Sequence, residues 1–199
     1  MDWRGWSVLL AGTACFLSFT WAAAFHFHKS GKIPRGMQVV SAVSFLTFAW
    51  FLYGLGTRPG GYRLAPFALC MLSLLLFWWC ILHTRRKRFT LAFSPDAPAF
   101  LDTQGPYRVA RHPFYLAYLV FWVATALAVP GLLSWAVPVV MAALYTLAAA
   151  KEEAKFTDSI LQGEYRLYRM RTGMFFPLLA WPRGKGRQAR PWLVPPGHP

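Results

Sequence analysis

Four stretches of the chain carry no Asp, Glu, Lys or Arg: residues 5–28, 36–57, 64–84 and 112–150. A helix needs about 20 apolar residues to cross a bilayer, so each of the first three fits one crossing. The fourth is long enough for two, and Pro130-Gly131 near its middle is a turn signal. The pattern predicts an all-α polytopic membrane protein with five transmembrane helices, the last two forming a tight hairpin. The first run has Ala22-Ala23-Ala24 near its end, as a cleaved secretory signal would. Its length, its single basic residue Arg4 and the preceding Asp2 favour an uncleaved first helix.

Beyond the fourth run, "KEEAKFTDSILQGEYRLYRMRTGMFFP" places Ala154, Phe156, Ile160, Leu161, Tyr165 and Tyr168 mostly three or four residues apart. That spacing predicts a helical continuation into an amphipathic cytoplasmic segment, interrupted at Gly163 and ended by Gly173 and Pro177. The chain then divides into three parts. Residues 1–84 hold three helices, 85–177 hold a loop, the hairpin and the C-terminal helix, and 178–199 form a basic, Pro-rich tail.

Composition agrees with a membrane protein. Hydrophobic residues make up 56% and charged residues 14%, against about 25% charged in ordinary soluble domains. A net charge of +14 would suggest nucleic acid in a soluble protein, but its distribution gives another reason. With five crossings, one side receives Arg4, Arg58 and Arg63. The other receives Lys29, Lys32, Arg35, Arg85, Arg86, Lys87, Arg88, Arg108 and Arg111, and nine further Lys or Arg follow. The positive-inside bias puts the N-terminus outside and the C-terminus in the cytoplasm, with anionic lipid as a secondary partner and no nucleic acid.

Cys15, Cys70 and Cys80 lie inside apolar runs without metal or disulfide spacing and read as packing residues. His26 and His28 lack the further ligands zinc requires, and Trp50, Trp78 and Trp79 fit packing or interface positions. The first 84 residues therefore offer little chemistry.

The chemistry gathers after the RRKR run at residues 85–88. "FSPDAPAFLDTQGPY" predicts irregular backbone with one short helical turn, and it leads directly into "GPYRVARHPFY". Gly105-Pro106 makes a turn, and His112 is held extended because it precedes Pro113. Pro113 suits a first helical position, and the helix start offers unpaired N–H groups to an anion. The hairpin brings Glu152 and Glu153, at the end of the fifth helix, beside this start. Carboxylates, aromatics and an anion site converge there, as a cofactor pocket requires.

"GPYRVARHPFY", a tight hairpin, "EE" and "GEYRLYRMRTGMFFP" together resemble the isoprenylcysteine carboxyl methyltransferase family, whose wider group includes membrane phospholipid methyltransferases. The likeness spans residues 99–177. It implies an S-adenosylmethionine site on the cytoplasmic side, formed by Ala99, Phe100, Leu101 and Asp102 through backbone contacts, with Tyr107, His112, Pro113, Phe114, Tyr115 and Glu153. It also implies a lipophilic acceptor entering from the bilayer, with Arg111 and Glu152 as candidate substrate contacts. Tyrosine faces suit a cationic sulfonium, and the helix start suits a carboxylate. In one respect the chain departs from the resemblance. Prenylcysteine carboxyl methyltransferases carry an arginine four residues before the glutamate, where this chain has Ala149. Three alternatives stand beside this reading: a phospholipid N-methyltransferase, a sterol-reductase-like enzyme using NADPH, and a non-enzymatic scaffold.

Overall fold

The structure, a computed structural model, describes residues 3–27, 32–57, 63–86, 98, 100–157 and 159–177. Each charge-free run becomes a helix: α1 (Trp3–Trp21), α2 (Arg35–Thr57), α3 (Leu64–Thr84), and α4 (Pro113–Ala128) with α5 (Leu132–Thr157) from the long run. A sixth helix, α6 (Gln162–Arg171), follows, and a 3-10 turn (Gly105–Arg108) precedes α4. Among the described residues there is no strand. The segments Trp3–His26, Arg35–Thr57, Leu64–Thr84 and Leu132–Thr157 are long and apolar enough to cross a membrane. Leu46, Leu75 and Val139 are exposed on their outer faces, as lipid-facing residues would be. The protein is a multi-pass integral membrane protein.

Of the five crossing helices expected, four are long and apolar enough to span a bilayer, and α4 is a shorter apolar helix. It has 16 residues, about 24 Å at 1.5 Å per residue, against a hydrocarbon core of about 30 Å. Two prolines set this length: Pro113 fixes the first turn and Pro130 ends the helix. Val129, which follows the helix, is extended (φ −112°, ψ 103°) and buried. A helix ending in the protein interior leaves carbonyls unsatisfied. Buried Arg63, just before α3, donates from Nη1 to the Ala128 carbonyl at 2.8 Å, where the negative end of the helix dipole favours a cation.

The hairpin is antiparallel in register: Trp122 Nε1 donates to Tyr145 Oη at 3.2 Å, and farther from the turn Tyr115 Oη donates to Glu152 at 2.6 Å. Gly131 turns the chain at φ 131°. The cysteines pack as expected. All three are buried and free, and Cys15 Sγ donates to the Cys70 carbonyl at 3.2 Å, joining α1 to α3. His26 bonds Thr84 Oγ1 at 2.9 Å between α1 and α3, while His28 lies outside the described residues. Among the described residues no group of His, Cys, Asp and Glu could hold a metal ion. Trp50 Nε1 donates to Ser134 Oγ at 3.4 Å, and Trp78 and Trp79 stand exposed.

The stripe expected after α5 is broken. Ala154 and Ile160 are exposed, and only Phe156, Tyr165 and Tyr168 of the six reach a common cluster, with Tyr107. Turn bonds from Ser159 N–H to Phe156 and from Gln162 N–H to Ser159 reset the helical register between α5 and α6. Gly163 does not interrupt; it sits in the first turn of α6.

Candidate functional site

The up-and-down order brings the end of α1, the start of α2, the end of α3, the start of α4 and the end of α5 to one end of the bundle. There α1 finishes in one wider π turn, Ala22–His26, closed by Phe27 N–H to the Ala22 carbonyl at 3.1 Å. The loop of residues 100–108 folds across these ends. Asp102 is buried and accepts the Gln104 N–H at 3.1 Å. Gly105 takes φ +56°, which L side chains rarely adopt, and starts the predicted helical turn.

Arg111 ties this end together. Its guanidinium pairs with Glu153 and donates to the carbonyls of Thr172 (2.6 Å) and Arg169 (3.4 Å). Its backbone N–H donates to Gly173 at 2.9 Å, and that of His112 to Met174 at 3.0 Å. Tyr168 Oη adds a 2.6 Å bond to the Tyr107 carbonyl. The chain after α6 is thereby sewn to the start of α4.

His112 (φ −124°, ψ 67°) is not extended as expected, although it stays out of the helical region ahead of its proline neighbour, and Pro113 takes the first turn. Its ring lies between two carboxylates, Nε2 3.1 Å from Glu153 Oε1 and Nδ1 3.5 Å from Glu152 Oε2. Burial disfavours the imidazolium, but the bonds and charges of Glu152 and Glu153 outweigh it and raise the pKa above the ordinary 6.5. The ring also begins an aromatic stack: His112 on Tyr115 at 5.4 Å, and Tyr115 on Tyr145 at 5.3 Å, each pair within 10° of parallel. Burial keeps the Tyr107 phenol neutral by pushing its pKa well up. It does the same for Tyr165, with help from Glu153. The Tyr165 hydroxyl lies near that carboxylate but makes no hydrogen bond of good geometry, a buried polar atom without a partner.

One cavity of about 330 Å³ is lined by Phe100, Leu101, Asp102, Tyr107, Arg111, His112, Pro113, Phe114, Tyr115, Glu152 and Glu153. Every candidate site residue from the sequence meets there except Ala99, which lies outside the described residues. The cavity continues into an apolar half that the sequence did not reveal. Phe16, Phe19, Thr20 and Ala23 from the α1 end and Met37, Val40, Ser41, Ser44 and Phe45 from α2 form its wall, facing Tyr118, Trp122 and Tyr145. The first helices therefore carry more than packing. Only a mixed hydroxyl and aromatic content in those runs hinted at it.

Residues 62–164, just over half of the chain, match the family described as phospholipid methyltransferase (PEMT). The chain belongs to this family. It is accordingly a membrane S-adenosylmethionine-dependent methyltransferase, and the reductase and scaffold readings fall away. The match is to the wider group and does not single out the isoprenylcysteine carboxyl methyltransferases. The chain matches no curated protein and no solved structure.

The residues at the polar end suit the family's cofactor. The cavity has the size of a small-molecule site, which begins at about 300 Å³. The polar groups there match a zwitterion with a cationic sulfur: carboxylates that accept, tyrosine rings, and the Phe114 and Tyr115 N–H groups of a helix start that donate. The buried Tyr165 hydroxyl adds an unused donor at the same end.

Proposed function

We propose that this phospholipid methyltransferase methylates the headgroup amine of a lipid that reaches the cavity from the bilayer. The observation that carries the reading is the chemistry of the cavity wall. Glu152, 30% exposed at its side chain, and Tyr115, Tyr118 and Tyr145 line it. Ala149, where prenylcysteine carboxyl methyltransferases have their arginine, is sealed in the core at 0% exposure. Arg111 is committed to Glu153 and two carbonyls. Carboxylate and aromatic faces favour an amine over a carboxylate as the acceptor.

In this reading residues 100–102, Tyr107, His112 and the first turn of α4 bind S-adenosylmethionine, which when bound supplies an electrophilic methyl group on a positive sulfur. Glu153 acts by fixing Arg111 and His112, and Glu152 faces the acceptor. An ammonium group has no lone pair, so the acceptor must lose a proton before it attacks; Glu152 is the carboxylate within reach to take it. The apolar half, walled by α1 and α2, holds the acyl chain and excludes water from the reacting groups. The basic excess around this end supports a cytoplasmic site with the N-terminus outside, and α4 completes a fifth crossing together with its extended continuation. Residues 1–84 then supply the lipid wall and 85–177 the cofactor site. The 178–199 tail lies outside the described residues.

The test is methyl transfer from labelled S-adenosylmethionine by the purified protein in lipid nanodiscs. Label is expected in an ethanolamine phospholipid and not in an added prenylcysteine. Label in the prenylcysteine alone would overturn the amine reading.

A further inference from the structure

His83 belongs to the part of the chain with the least evident chemistry, yet one side chain reaches three positions of the loop that walls the cavity. Its Nε2 lies 3.0 Å from Asp102 Oδ2, while Asp102 Oδ1 takes the Gln104 N–H. Asp102 is buried, its side chain 3% exposed, and a carboxylate out of water needs partners at both oxygens. Gly105 sits against the imidazole so closely that a Cβ there would lie 2.5 Å from Nδ1. The ring centroid of Tyr107 is 6.1 Å away. His83 itself does not line the cavity, whereas Asp102 and Tyr107 do.

We propose that His83 is the positioning residue of the cofactor loop. From the rigid end of α3 it holds Asp102, and the backbone folded around it, in the conformation that forms the cofactor wall. The proposal rests on the reading above that residues 100–107 contact S-adenosylmethionine. His83 donates through Nε2–H, which fixes the ring and leaves Nδ1 toward the glycine backbone, where a side chain would displace it. The contact orders the loop before any ligand arrives, so its loss falls on cofactor affinity and leaves the chemical step alone.

The experiment uses full-length protein in nanodiscs, with S-adenosylhomocysteine binding by calorimetry and hydrogen exchange of residues 100–108 without ligand. His83→Ala is expected to weaken binding about tenfold or more, the scale of a lost hydrogen bond to a charged group. It should also speed exchange in the loop and raise the KM for S-adenosylmethionine, while kcat at saturating cofactor and the KM for acceptor stay near the parent values. His83→Gln, which keeps an N–H donor, should recover most of the affinity. In a cycle with Asp102→Asn, the double variant should bind little worse than His83→Ala alone, because the two act through one contact. Where His83→Ala does not fold, His83→Gln and Asp102→Asn carry the same comparison. Parent-like affinity and exchange in His83→Ala would overturn the proposal. So would a fall in kcat at saturating cofactor with affinity unchanged, since His83 would then act in the chemistry. If the parent itself binds no S-adenosylhomocysteine, the site reading fails, and the ligand-free exchange still decides whether His83 orders the loop.

Discussion

Arg111 and Glu153 form a two-point ion pair, Nε to Oε1 at 2.9 Å and Nη2 to Oε2 at 3.2 Å, with both side chains less than a tenth exposed. The pair joins the loop before α4 to the end of α5, and through the carbonyls of Thr172 and Arg169 it also holds the end of α6. A buried charge left alone is costly, so removing either partner does more than delete an attraction.

Glu153→Ala is expected to lower stability by about 3–5 kcal/mol, the range for breaking a buried pair. It should abolish measurable S-adenosylhomocysteine binding, because Arg111 and His112 lose their common anchor. His112→Ala should weaken binding strongly with a smaller loss of stability. His26→Ala, which removes the bond to Thr84 and ring contacts with Trp21, Phe27 and Phe114 but no polar group of the cavity, should bind as the parent does. Calorimetry and thermal unfolding of the three variants check this, and equal binding in all three would mean the pocket is misplaced.

The pH dependence follows from His112. Its pKa in the folded protein lies above 6.5, since Glu152 and Glu153 outweigh burial. A raised pKa means that the folded state holds the proton more tightly than the unfolded chain does. The resulting stabilisation is fully present below pH 6.5, the ordinary value, and is lost as pH rises through the folded value. Unfolding temperatures measured from roughly pH 5 to roughly pH 9, spanning the ordinary histidine range, should fall on the alkaline side. His112→Gln should flatten that slope.

By the sequence Arg63 is a loop charge on the outer side, but it caps α4 from a buried position. Arg63→Met keeps much of the aliphatic length and removes the donor, leaving the Ala128 carbonyl unpaired. A loss of about 1.5–3 kcal/mol is expected, as for a hydrogen bond to a charged group. Thermal unfolding should register it, with cofactor affinity near the parent value because the cap is at the far end of α4 from the site.

Gly105→Ala places a methyl group 2.5 Å from His83 Nδ1 at a φ of +56°. The backbone term alone is about 1–2 kcal/mol for an L residue in the left-handed region. Relief requires the loop or the imidazole to move, so S-adenosylhomocysteine affinity should fall while the helical content seen by circular dichroism stays unchanged.

Much of the fold was legible because a bilayer imposes its demands locally. Charge-free runs near 20 residues, the Pro130-Gly131 break and the proline after His112 act within a few residues, so the helices, the hairpin and the meeting of His112 with Glu152 and Glu153 could be read from spacing. The short α4 was less legible, since it ends at an extended Val129 under a cap from Arg63, and the cap comes from 65 residues away. The register after α5 failed for a related reason: turn bonds around Ser159 reset a periodicity that sequence can only continue. The sequence by itself determined a membrane bundle with one chemically dense end. Only the tertiary structure decided that α1 and α2 wall the apolar half of the cavity, that Arg111 is spent on Glu153, and that His83 meets Asp102. Those are contacts between side chains far apart in the chain, and their distances exist only once the helices have packed.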